Sequence, residues 1–116
     1  MERRVSLVDG RAQHTELLQK DVVVVTSCSA ASTSTSDGGT MAVRLVIAVY
    51  SFGRKIAEYG PALLSFKLRG SEASYLDASQ VFINGQVFTV GFSGKKRLPG
   101  DGWTPKYMRI RIGQAK

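Results

Sequence analysis

Among its 116 residues the chain has one cysteine, Cys28, and one histidine, His14. A single thiol excludes an internal disulfide, and the pair together excludes a Cys/His zinc site and most nucleophile-plus-histidine catalysis. Cys28 reads as an ordinary buried thiol and His14 as an exposed, inert side chain. No apolar run approaches the roughly 20 residues that cross a bilayer; Val22 to Val25 stops at Thr26. The charged start Met1-Glu2-Arg3-Arg4 has none of the apolar stretch of a secretory leader, so the expectation is an intracellular protein, not a secreted one, with no membrane span. Nucleotide loops are missing too. There is no Gly-x-x-x-x-Gly-Lys-Ser/Thr and no Gly-x-Gly-x-x-Gly after a strand, and Gly91-Phe92-Ser93-Gly94-Lys95-Lys96 has the wrong spacing to cradle phosphates. Asp9, Glu16, Asp21, Asp37, Glu58, Glu72, Asp77 and Asp101 each stand alone, without the pairing that acid–base chemistry uses. These absences predict a protein that is not an enzyme, with no catalytic residues, no metal, no cofactor and no small-molecule substrate.

What is present is positive charge, and it is unevenly placed. The net charge is +7. Residues 1–60 carry seven basic and six acidic side chains, whereas residues 61–116 carry nine and three. Lys95, Lys96, Arg97, Lys106, Arg109, Arg111 and Lys116 face only Asp101, which concentrates positive potential on any surface they share and favours acidic partners.

Hydrophobic residues recur with the period of strands. Val22–Thr26 and Val43–Tyr50 are rich in β-branched residues and read as central strands buried on one or both faces. Between them, residues 27–40 are polar and glycine-containing and predict a long flexible Ser/Thr/Gly surface loop. Ser51 to Gly60 predicts a helical turn or irregular connection, and Gln13 to Lys20 is the one segment with some amphipathic helical character. Ala62 to Arg69 alternates, with Leu64, Phe66 and Leu68 opposite Ser65, Lys67 and Arg69. Asn84-Gly85 between two alternating segments predicts a type I′ hairpin over residues 81–90, with Val81, Ile83, Phe88 and Val90 on the core face. A short strand at Val5–Val8 and a last one at Lys106–Ile112, with Met108, Ile110 and Ile112 on one face, complete about seven strands. The expected fold is a single all-β domain over residues 1–116, a sandwich or barrel that is jelly-roll-like.

The candidate site lies in the last quarter. Lys95, Lys96 and Arg97 sit in a basic Gly/Pro loop over residues 94–105, Trp103 follows, Lys106 opens the last strand, and Tyr107, Arg109 and Arg111 line one of its faces. Cations on flexible loops neutralise phosphates, and Trp and Tyr offer planes on which unpaired bases stack. The predicted partner is single-stranded nucleic acid, RNA or DNA, with self-association alongside.

The N-terminal half carries a family resemblance. Leu7-Val8-Asp9-Gly10-Arg11, then Val22 to Val25, Ser36-Asp37, Val43 to Tyr50, and Tyr59-Gly60-Pro61-Ala62-Leu63-Leu64-Ser65-Phe66 resemble the core of the thirty-kilodalton superfamily of plant-virus movement proteins over residues 5–68. Leu7, Asp9 and Gly60 (or Gly70) match its "Leu-x-Asp … Gly" signature. The resemblance implies a jelly-roll-like domain that binds single strands cooperatively without sequence preference, with Asp9 structural. The second half looks like the small β-barrels of phage head–tail joints, which implies as the alternative a viral or phage assembly subunit whose basic loop meets the genome or an acidic neighbour.

Overall fold

The structure, a computed structural model, describes residues 2–33, 40–67, 78–97, 99 and 103–114. Among these residues the chain forms β1 (Glu2–Ser6), β2 (Arg11–Gln19), β3 (Val22–Thr33), β4 (Thr40–Ser51), β5 (Arg54–Lys67), β6 (Ala78–Ile83), β7 (Gln86–Ser93), β8 (Lys96–Arg97), β9 (Trp103–Thr104) and β10 (Tyr107–Gln114). Two antiparallel sheets result, ordered β1-β10-β7-β6 and β2-β3-β4-β5, with β8 paired to β9 as a separate ladder. The fold is an all-β sandwich, with β2 to β5 a meander of consecutive strands rather than strands exchanged between sheets as in a jelly roll. Among the described residues no helix is long and apolar enough to cross a membrane.

Two-residue turns with left-handed backbone set much of this register. Asn84 (φ 50°) and Gly85 (φ 78°) join β6 to β7, as the sequence predicts, and Val81 pairs with Phe88. Asp9 (φ 51°) and Gly10 (φ 74°) make a turn of the same kind between β1 and β2, closed by Val8 N–H to Arg11 O at 2.8 Å and Arg11 N–H to Val8 O at 3.0 Å. It also carries the chain from one sheet to the other. Phe52 (φ 51°) and Gly53 (φ 77°) form a third left-handed turn, between β4 and β5 within one sheet.

The core lies between the sheets. Met41, Val43, Leu45, Ile47 and Val49 of β4 alternate inward and meet Phe88, Val90 and Phe92 of β7 with Met108 and Ile110 of β10; Ile83, Val24, Cys28, Leu7 and Trp103 complete the cluster. Each large side chain of this kind contributes about 1.5–3 kcal/mol on burial. Val81, Leu64 and Ile112 pack against it from the rim.

Four expectations need correction. Residues 13–20 are not helical: β2 alternates through Ala12, His14, Glu16 and Leu18 facing inward, and the two polar members of that row hide the strand period. His14 is accordingly half-buried, its Nε2 3.0 Å from Glu16 Oε1, which Arg3 Nε of β1 approaches to 3.6 Å across the sandwich edge. Residues 27–40 are mostly strand, because the backbone of Ser27 to Thr33 pairs with that of Val46 to Thr40; residues 34–39 lie outside the described residues. Ser51 to Gly60 is the Phe52-Gly53 turn and the first half of β5, which pairs with β4 through two bulges. The segment 94–105 holds the β8–β9 ladder, so with β2 the strands among the described residues number ten rather than about seven. The expected extension of β5 to Leu68 and Arg69 falls outside the described residues.

Candidate nucleic-acid interface

The outer face of the β1-β10-β7-β6 sheet is built by parity. With Met108 and Ile110 facing the core, Tyr107, Arg109 and Arg111 must face solvent. Register then sets their neighbours. Arg111 lies between Glu2 and Thr89, Arg109 between Arg4 and Gly91, and Tyr107 between Ser6 and Ser93. Beyond β7, Gln80 flanks Thr89 and Phe82 flanks Val87. Three arginines therefore share the face, with Tyr107 at one corner and Phe82, 65% exposed, at the diagonally opposite one. From strand spacing and rise these corners are about 20 Å apart.

Glu2 organises the arginines. Its Oε1 accepts from Arg109 Nε at 3.0 Å and also from Arg109 Nη2, while its Oε2 lies 3.4 Å from Arg111 Nη2. The Arg109 hydrogen bond, more than partial burial opposes it, holds the Glu2 carboxyl below the ordinary carboxylate range. Arg4 lies over Tyr107, its Cζ 5.0 Å from the ring centroid. An open cleft of about 350 Å³ runs along this face, lined by Gln80, Thr89, Arg109 and Arg111. Cation–aromatic stacking, guanidinium forks and amide and hydroxyl groups are what phosphates and unpaired bases engage.

The other predicted residues are distributed differently. Trp103 is 1% exposed and belongs to the core, where β9 packs on β3, so it offers no stacking plane; the expectation of an outward turn fails because β9 lies against β3 and Trp103, Thr104 and Pro105 are all buried. Lys96 and Arg97 are exposed on β8 and Lys95 is half-buried, all beyond the Tyr107 end of the sheet, where Ser93 pairs with Tyr107 and accepts from Lys106 N–H at 3.0 Å. Lys106 is exposed, and its stem runs over Gly94, where an added Cβ would stand 2.8 Å from Lys106 Cβ. Arg109, Arg111 and Tyr107 thus come together, while the Lys95–Arg97 cluster forms a separate basic flank.

Sequence reasoning missed Arg4, Glu2, Gln80, Thr89 and Phe82. Phe82 was findable: once Val81 and Ile83 face inward, the residue between them faces out. Among the described residues no three His, Cys, Asp or Glu side chains gather as a metal-ligand set. Burial pushes the Cys28 thiol up to about 11, which keeps it protonated and unreactive at neutral pH. No family model matches the chain, and no curated protein or solved structure matches it.

Proposed function

We propose that the chain is a binding protein, not an enzyme, that holds single-stranded nucleic acid across the outer face of the β1-β10-β7-β6 sheet. The observation that carries this is that Arg4, Arg109 and Arg111 share one outer face, where Arg109 and Arg111 line an open cleft and Tyr107 and Phe82 stand as outward aromatics on the same face. The arginines track phosphates, and Phe82 and Tyr107 take bases. Lys96 and Arg97 extend the electrostatic track beyond the Tyr107 end. Single strands are favoured over duplexes because stacking requires an open base face, which a duplex presents only at its ends. Sequence preference is weak, because the charged contacts read phosphate and every base has a π-face. The Leu-x-Asp part of the movement-protein resemblance falls in the β1–β2 turn, so the reading rests on the arginine face alone.

Fluorescence anisotropy with labelled single- and double-stranded oligonucleotides, at about 50 and 200 mM salt, tests it. Single strands should bind more tightly than duplexes, and Arg4→Ala/Arg109→Ala/Arg111→Ala should remove most of the affinity and its salt dependence. Phe82→Ala should cost roughly 1–3 kcal/mol of binding, the worth of one stacked base. Equal binding by wild type and the triple variant would refute the assignment.

A further inference from the structure

The second sheet has an outer face that a lone sandwich does not need. One face of such a sheet normally packs on the core while the other is polar. Here the outward residues of β3 include Val23 and Val25, and those of β4 include Val46, Ala48 and Tyr50. They are contiguous across the ladder, since Val23 pairs with Tyr50 and Val25 with Ala48. Leu17 of β2 continues the patch opposite Val23 and is 66% exposed; Leu63 of β5 lies opposite Arg44 and is 76% exposed. This is the reason for the apolar runs of β3 and β4, which read as strands buried on one or both faces although the other sheet covers only one.

We infer that this face is covered by a second copy of the chain, packed sheet on sheet about a two-fold axis. Two observations select a copy over other occupants. The first is area: four strands at about 4.8 Å spacing and about 30 Å of β2-length overlap give roughly 570 Å² in projection, which side-chain relief brings near the ~800 Å² per partner of a stable interface. The second is charge placed for self-complementarity. Ser27 pairs with Val46 at the centre of the face; two residues to one side lies the Ser29–Arg44 row, and two to the other the Val25–Ala48 row, which continues to Glu58 on β5. A two-fold axis in the interface, crossing the strands at the Ser27–Val46 row, superposes one row on the other. Arg44 of each copy then stands over Ala48 of its mate, one strand from the mate's Glu58 and within an arginine's reach of it, where Glu58 already pairs with Lys55 at 2.7 Å. Within one chain Arg44 and Glu58 are two rows apart. The central row between them, Gln13, Ser27 and Val46, carries no charge, as an interface core requires. The proposal does not depend on the nucleic-acid reading, and it leaves both arginine faces outward, on opposite sides of the dimer.

Sedimentation equilibrium across micromolar concentrations tests it directly. Wild type should be a dimer. Leu17→Lys, at a position exposed in the single chain, should weaken the dimer at least roughly tenfold without unfolding it, and Val25→Lys should do the same. Arg44→Glu should weaken it, and Arg44→Glu/Glu58→Arg should restore it, because only the intermolecular pairing recovers in the double variant. Circular dichroism and Trp103 emission report that each variant keeps its fold. A monomer throughout, a dimer indifferent to the two lysines, or failure of the charge swap would overturn the proposal. So would a monomer whose binding to vesicles containing anionic lipid is lost in Leu17→Lys, which would assign the face to a membrane surface.

Discussion

Removing the charge of Glu2 should tighten nucleic-acid binding. Its carboxylate occupies donors of Arg109 and Arg111 that a phosphate needs, and it stands on the same outer face. A phosphate arriving at the cleft must displace it or sit beside it against like-charge repulsion. With Arg4, Arg109 and Arg111 each meeting one phosphate, the affinity should fall by about 2 log units per log unit of salt, or roughly 18-fold between 50 and 200 mM. Arg109→Ala should reduce that to about 1.4 log units, or roughly sevenfold. Glu2→Gln should act in the opposite direction. At low salt it should bind about two- to fivefold more tightly than wild type, the usual worth of a partly exposed ion pair, and the gain should shrink as salt screens the carboxylate it removes. Anisotropy titrations of the three proteins at several salt concentrations give affinities and slopes together. A folded Glu2→Gln protein that binds more weakly than wild type would refute the reasoning, for Glu2 would then be holding the arginines in their binding geometry rather than competing with the ligand.

The buried tryptophan gives a second expectation: Trp103→Ala should cost about 3–5 kcal/mol of stability, measured by denaturant unfolding, and single-stranded oligonucleotide should leave wild-type Trp103 emission unshifted. Phe52 holds a left-handed conformation that costs a bulky residue roughly 1–2 kcal/mol, and at 80% exposure it has little packing to lose, so Phe52→Asn should raise the melting temperature by several degrees. The folded Cys28 thiol titrates near 11 against an ordinary 9.0, so between those pH values the folded chain keeps a proton that the unfolded chain releases. Stability should therefore fall as pH rises through that window, by about 2 kcal/mol near its top, and urea melts of Cys28→Ala should lack this component.

Much of the sandwich was legible because long strands with one buried face print their period directly. Met108, Ile110 and Ile112 fell where expected, as did Ile83, Phe88 and Val90 around Asn84-Gly85. β2 was not legible, because its inward row contains His14 and Glu16, which face the sandwich edge near Arg3 instead of the core. The Asp9-Gly10 turn has the same chemistry as Asn84-Gly85 but joins strands of different sheets, so no single alternating hairpin surrounds it. Half of the candidate face was visible in the parity of β10. Its other half, Glu2 and Arg4, enters through the pairing of β1 with β10, which no local pattern announces.

That pairing also governs when the face can exist. Glu2 and Arg109 are 107 positions apart, so the arginine cluster closes one of the longest loops in the chain. Closing it carries an entropic cost that grows with the logarithm of loop length and is recovered only when β1 has β10 to pair with. During synthesis β1 emerges early and must wait for β10, long after the β2-to-β5 meander can have formed from neighbouring strands. A partly made chain therefore shows Arg4 without Arg109 or Arg111. Its acidic Glu2 is then unmasked beside it, and the face lacks the two cations of β10 until that strand arrives.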